Sequence, residues 1–202
     1  QNQYQGDAYI FGQFIWNYYY RFVLAANNVI GNINPETATT DQLGYLGTGY
    51  AFRAMLYLDM ARMYEFLPND GTSNINANGN DVTGLTVPIV KAEMTQDEAR
   101  NNPRATRDEM KTFIEEDLNK AEEYIVNLTN TNGKTLPDLA CVYGLKARLY
   151  MWLENYAKAQ EYARKAISTS TVGPMSQEQC LNTTTGFNVT DPWMWGAQMT
   201  RS

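Results

Sequence analysis

The chain has 202 residues, of which 44% are hydrophobic and 12% aromatic, enough to bury a substantial core and too apolar for an intrinsically disordered segment. Sixteen Lys and Arg face 22 Asp and Glu, a net charge of −6, which argues against a nucleic-acid binder because such a protein needs a basic face. No histidine is present, so imidazole-based triads, zinc ligands and general bases are excluded.

Cys141 and Cys180 lack CxxC spacing and suit a buried thiol or one disulfide, while two thiolates without His leave too few ligands for zinc. No run of eighteen apolar residues offers a membrane span. The chain opens at Gln1 without Met or an apolar leader and closes on Met199-Thr200-Arg201-Ser202 with no stop signal. A processed N-terminus or a part of something longer is the expectation.

The first element is a long helix over roughly Tyr9 to Ile33, in which Ile15, Tyr19, Phe22, Val23, Ala26 and Ile30 recur at helical steps. Phe11, Phe14, Trp16, Tyr20 and Leu24 fill much of the remaining circumference, so this helix is expected to be buried on more than one side, Trp16 included. A second helix runs from Thr40 or Asp41 to Tyr64 and is closed by Pro68. Gly44, Gly47 and Gly49 each cost it about 1 kcal/mol against Ala, a cost that close approach of a neighbouring helix makes tolerable. Gly47-Thr48-Gly49 follows no strand and lacks a third glycine, so no dinucleotide cofactor is implied, nor is any other.

Residues 69–84 are rich in Asn, Asp, Gly and Thr, a loop long enough to be functional or mobile, and they lead into a short extended segment, Leu85-Thr86-Val87-Pro88-Ile89-Val90. A capping box, Thr106 with Glu109, starts the third helix, whose stripe runs Met110, Phe113, Ile114, Leu118, Ala121, Ile125 and Leu128. The fourth spans about Pro137 to Leu153 and the fifth Tyr156 to Ile167, before a Thr- and Asn-rich tail. In the tail, Trp193 and Trp195 alternate as in a segment docking on a core.

Five helices and no run of alternating strands define an all-α fold. Tyr143, Ala147 and Tyr150, then Tyr156, Ala159 and Ala166, fit a right-handed tetratricopeptide-like repeat with long loop insertions, although Lys146 stands where Leu is expected and Ala163 where an aromatic is. Residues 1–168 are expected to form the helical core with its insertion at 69–90, and residues 169–202 an extended segment leading into a C-terminal part not contained in the chain.

Several of these residues together resemble the SusD/RagB family of Bacteroidetes. Trp16, Tyr20, Ala26 and Asn27 are similar to its W-x3-Y-x5-A-N, and Phe52-Arg53-Ala54 with Tyr57, Tyr64 and Pro68 to its L-R-A-x2-Y-F and Y-G-x-x-P. Thr48 replaces the family's acidic residue and Glu65 its glycine. Gly84 to Ile89, then Ile114, Asp117, Leu118 and Ala121, then Ala147-Arg148-Leu149-Tyr150 follow in family order.

The resemblance implies a non-catalytic protein on the outer-membrane surface that binds a nutrient glycan, or sometimes a peptide, and delivers it to a SusC-like TonB-dependent transporter. It implies that the helical repeats look toward the transporter while inserted loops touch the ligand. It also implies anchoring through an N-terminal lipid-bearing Cys, which is not among these residues. The rival readings are a tetratricopeptide scaffold for a partner peptide or protein and, more distantly, a hydrolase using paired carboxylates.

A sugar site needs an aromatic face flanked by amides and carboxylates for the hydroxyls. Tyr4, together with Asn69, Asp70, Asn74, Asn76 and Asn78 of the long loop, are the suitable exposed candidates. Asn74 to Gly79 also looks like the opening of an EF-hand, but Leu85 occupies the position where a bidentate Glu is required, so calcium is not expected. Glu115-Glu116-Asp117 and Glu122-Glu123 read as the solvated side of the third helix, with Asp117 expected to turn inward and hold a backbone group.

Overall fold

The structure, a computed structural model, describes residues 8–68, 71–185 and 189–197. Among them are seven helices and no strand, only three isolated bridges: α1 (Ala8–Asn32), α2 (Thr40–Tyr64), α3 (Gln96–Arg100), α4 (Arg107–Ile125), α5 (Leu139–Trp152), α6 (Tyr156–Thr169) and α7 (Gln177–Leu181). The five long helices are the expected ones. The two five-residue helices, α3 and α7, were not expected, although each opens on a capping box, Thr95 with Glu98 and Ser176 with Gln179.

Successive long helices alternate in direction and pack as α1–α2–α4–α5–α6, the layered hairpin order of a tetratricopeptide-like array. Antiparallel pairing of α1 and α2 brings the Tyr64 hydroxyl onto the Gly12 carbonyl at 3.0 Å. The core lies around α2, where Leu46, Tyr57, Leu58 and Met60 are fully buried against Met110, Ile114 and Leu118 of α4. Each such side chain removed from water contributes about 1.5–3 kcal/mol.

The glycines of α2 act as close-approach sites. A Cβ on Gly44 would fall 2.7 Å from the Leu128 Cα, and one on Gly47 would collide with the Ile125 backbone nitrogen. α4 therefore ends directly on the α2 backbone.

Three expectations need correction. Among the described side chains of α1, to which Phe11 does not belong, only Val23, Ala26 and Asn27 are buried, while Phe14, Tyr18, Phe22 and Leu24 are exposed: within the described chain α1 is covered on one side, by α2 and the 88–90 segment. Asp117 does turn inward, but onto the Arg53 side chain rather than a backbone group. Glu122 is no bystander on a solvated face, because it pairs with the buried Lys146 ammonium, which Asn119 also holds at 2.8 Å. That partnership is why a lysine can occupy the leucine position of the repeat.

Trp195 and Trp16 both pack against the core, as expected. The Trp195 indole N–H donates to the Thr135 carbonyl at 3.1 Å. Cys141, buried, and Cys180, exposed, are free thiols.

Candidate functional site

The family-like motif residues converge on one structural task. They hold the chain between α2 and α4 against the helices. Arg53 donates to both Asp117 carboxylate oxygens at 2.7 and 2.8 Å and to the Asn27 side-chain Oδ1 at 2.8 Å, and the Asn27 side-chain Nδ2 donates in turn to the Val90 carbonyl at 2.9 Å. Tyr57 accepts from the Val90 N–H at 2.7 Å, and the Tyr20 hydroxyl donates to the Pro88 carbonyl at 2.6 Å. Arg104 spans the carbonyls of Tyr64, Leu85 and Thr86 at 2.6, 2.8 and 2.6 Å. Burial drives the Tyr20 and Tyr57 hydroxyls well above their ordinary values, so they serve as neutral hydrogen-bonding groups.

This strap closes the base of the loop. Glu65 receives the Arg107 guanidinium at 3.0 Å and the Trp152 indole N–H at 3.0 Å, and bridges join Phe66 to Thr83 and Leu85 to Thr106. Above it, residues 74–82 form a hairpin. The Asn76 N–H donates to the Asn80 carbonyl and the Gly79 N–H to the Asn76 carbonyl, both at 2.9 Å, with Gly79 at a φ of +79°: a type I turn closed by a glycine bulge.

The structure places the candidate ligand residues as follows. Asn74, Asn76 and Asn78 share this hairpin, with Asn76 and Asn78 exposed. The Asn76 side-chain oxygen faces inward and accepts from the N–H groups of Asn78 and Asn80 at 2.9 and 3.0 Å. The Asn74 amide donates to Asp81, whose carboxyl is held below its ordinary value chiefly by the Thr83 hydroxyl and N–H. These amides thus shape the hairpin as well as decorating it. Tyr4, Asn69 and Asp70 lie outside the described residues. Among the described residues no group of three or more Cys, Asp or Glu could hold a metal.

Two grooves escaped the sequence reading. One, about 800 Å³, runs between α1 and α2 and is lined by aromatic faces, Tyr18, Tyr19, Phe22, Tyr45 and Phe52. Its signal was present in the all-round apolar α1. The other, about 680 Å³, lies where α5 and α6 meet the end of α2, with Arg62, Arg148, Met151, Trp152 and Tyr156 on its walls.

The described residues thus form a tetratricopeptide-like helical array with one loop insertion fastened at its base. Residues 1–151 match the family model described as "Starch-binding associating with outer membrane", and the chain belongs to this SusD-like family. It is 26% identical over 155 residues to SusD-like protein P38 of Formosa agariphila, covering 77% of this chain and 26% of that protein. A SusD-like carbohydrate binding protein from Bacteroides vulgatus superposes with a TM-score of 0.73 at 25% identity, over 92% of this chain and 37% of the other. A SusD-like protein from Bacteroides fragilis, 18% identical, shares the fold with a TM-score of 0.68 over 93% and 33%. The chain therefore spans about a quarter to somewhat over a third of the length of these relatives. None of the described helices is long and apolar enough to cross a membrane.

Proposed function

We propose that this chain is the helical part of a non-catalytic, lipid-anchored cell-surface protein that binds a nutrient glycan and passes it to a SusC-like TonB-dependent transporter of the outer membrane. The observation carrying this reading is membership of a family described as starch-binding and associated with the outer membrane. The likeness to a SusD-like carbohydrate binding protein supports it. In this reading Asn74, Asn76 and Asn78, with Asn69 and Asp70, give the ligand's hydroxyls their polar partners, and Tyr4 is the aromatic candidate among these residues. The hairpin contributes no aromatic ring of its own, so the stacking face comes from elsewhere in the protein.

The test is affinity electrophoresis against a panel of soluble polysaccharides, followed by calorimetry on any hit, using this chain and its longer natural polypeptide in parallel. Retardation by at least one glycan is expected for the longer polypeptide, and weakening by Asn78→Ala would assign the hairpin to the site. Retardation by none would set the glycan aside.

A second reading, a tetratricopeptide groove for a peptide or protein, is favoured by the α5–α6 groove, where Tyr156 is 63% exposed and Arg62 stands beside Met151 and Trp152. Loss of a co-purifying protein from a Tyr156→Ala, Arg62→Glu variant, with glycan retardation unchanged, would assign that groove to a protein partner.

A further inference from the structure

Two Asn-Gly pairs stand in this chain, Asn78-Gly79 and Asn132-Gly133, and in both the asparagine is exposed. Such a pair is chemically labile. Glycine has no Cβ to shield its peptide nitrogen, which can attack the side-chain Cγ of the asparagine before it. The N–Cγ bond forms, the Cγ–Nδ2 bond breaks, and ammonia leaves with the proton given up by the peptide nitrogen. Water then opens the cyclic imide, either to aspartate or to an isoaspartyl linkage that carries one more carbon in the backbone. The fold treats the two pairs differently.

Asn78-Gly79 is tied into the hairpin. The Gly79 N–H is engaged by the Asn76 carbonyl at 2.9 Å, and the Asn76 side-chain oxygen accepts from the N–H groups of Asn78 and Asn80 at 2.9 and 3.0 Å. Attack on the Asn78 Cγ requires this corner to open first.

Asn132-Gly133 lies in the connection between α4 and α5, on three consecutive residues of left-handed backbone: Asn132 at a φ of +49°, Gly133 at +63° and Lys134 at +69°. Glycine adopts that conformation freely, whereas Lys134 carries a Cβ, and strain of this kind persists only where the surroundings impose it. The Asn132 carbonyl accepts from the Thr135 hydroxyl at 2.8 Å and from the Thr135 N–H at 3.3 Å. That carbonyl shares a peptide unit with the Gly133 nitrogen, so these bonds draw charge from the nitrogen and ease the loss of its proton.

The surroundings that hold Lys134 are the tail. Its carbonyl accepts from the Gly196 N–H at 3.0 Å, and its ammonium donates to the carbonyls of Thr190 and Asp191 at 3.1 and 2.6 Å. The next carbonyl, that of Thr135, accepts from the Trp195 indole N–H at 3.1 Å. The tail therefore hangs on the two residues that directly follow the labile pair.

We propose that Asn132 is a site of spontaneous covalent modification, deamidation through the Gly133 nitrogen, and that the product unfastens the 190–196 tail. An isoaspartyl linkage lengthens the backbone immediately ahead of Lys134, so the Lys134 and Thr135 carbonyls and the Lys134 ammonium no longer meet the tail in register. Cys141, only 5% exposed and donating to the Met194 carbonyl at 3.7 Å, then loses its cover.

The test ages the purified protein at mildly alkaline pH, labels samples taken over time with a maleimide, and maps them as peptides. Isoaspartate at position 132 is expected to accumulate at least about threefold faster than at position 78, the margin that one backbone hydrogen bond supplies. Labelling of Cys141 is expected to rise in step with it, while Cys180 is labelled from the outset. Asn132→Gln, whose longer side chain closes the ring far more slowly, is expected to stop both changes at 132 and at Cys141.

Rearrangement at 78 as fast as at 132, or none at 132, overturns the proposal. So does a Cys141 that stays protected while position 132 rearranges, or one that becomes reactive on the same schedule in the glutamine variant. The time course of the unaltered protein decides the matter if that variant does not fold. No readout involves a glycan or a transporter, so failure here leaves the proposed function untouched.

Discussion

The guanidinium of Arg53 on α2 grips both carboxylate oxygens of Asp117 on α4, at 2.8 and 2.7 Å, with the two side chains only 6% and 3% exposed. The same guanidinium lies 4.9 Å from the Phe113 ring centroid. Burial pushes the Asp117 carboxyl up, and the Arg53 hydrogen bonds and charge oppose it. Asp117→Ala strands a buried cation and is expected to cost about 3–5 kcal/mol in urea unfolding. Replacing both partners together, Arg53→Met with Asp117→Leu, is expected to recover most of that loss. A single-variant cost below about 1 kcal/mol would mean that water enters and substitutes for the carboxylate.

Glycine substitutions in two helices are expected to act with opposite sign. At Gly144 in α5 an added methyl meets nothing within 4 Å, so Gly144→Ala is expected to stabilise by about 0.5–1 kcal/mol through helix propensity. Gly47→Ala in α2 gains the same propensity but drives a Cβ into the Ile125 backbone, and a net loss of about 1–3 kcal/mol is expected. Paired thermal melts decide it, and two changes of the same sign would contradict the close approach of α4.

Tyr57→Phe removes the hydroxyl that accepts from the Val90 N–H at 2.7 Å while leaving the ring packed edge-on to Phe113 at 5.1 Å. An unsatisfied part-buried donor costs about 1–3 kcal/mol. Limited proteolysis is expected to show faster cleavage within residues 85–90, ahead of any cut in α2 or α4. Unchanged resistance would show that Asn27 and Arg104 hold the strap without Tyr57.

Acid is expected to loosen α4 from its N-terminus. The Thr106 N–H and hydroxyl hold the Glu109 carboxyl below its ordinary value of 4.5. A folded value below the unfolded one means that the cap contributes fully above the unfolded value and is lost as pH falls through the folded one. Glu109→Gln keeps an acceptor that does not titrate, so its stability should decline less steeply below about pH 4.5 than the parent's. Parallel acid limbs in circular dichroism titrations would remove this cap as a source of the pH dependence.

The two thiols should separate chemically. Burial pushes the Cys141 thiol up to about 12, whereas Cys180 is exposed, so at pH 8 one thiol is expected to react with an aromatic disulfide reagent and the other only after denaturation. Cys141 also donates weakly to the Met194 carbonyl at 3.7 Å. Two rapidly reacting thiols would show that the tail around Met194 leaves the core.

The long helices were legible because period and punctuation agreed: Thr106 with Glu109 opens α4, and its apolar stripe is buried as far as Ile125. The short helices α3 and α7 carry the same capping signal but too few turns for a period to show. The sequence turns Asp117 inward and places Lys146 at a leucine position but names a partner for neither, and only the pairing of α2 with α4, and of α4 with α5, supplies the opposite charges that let Arg53, Asp117 and Lys146 lie buried. For the candidate ligand residues, spacing and composition mark out the loop and its amides, yet the inward turn of the Asn76 oxygen depends on hairpin geometry that spacing alone does not encode. The α1–α2 groove was missed because an apolar stripe in a sequence carries no sign of whether something covers it.

The closed base of the 66–83 insertion has an evolutionary consequence. Because Glu65, Arg104, Arg107 and Trp152 fasten the points where the chain leaves and re-enters the helical array, lengthening or rewriting the hairpin tip transmits no strain to α2 or α4. Under the function proposed above, the tip is free to change its ligand contacts while the framework between the two fixed posts stays constant.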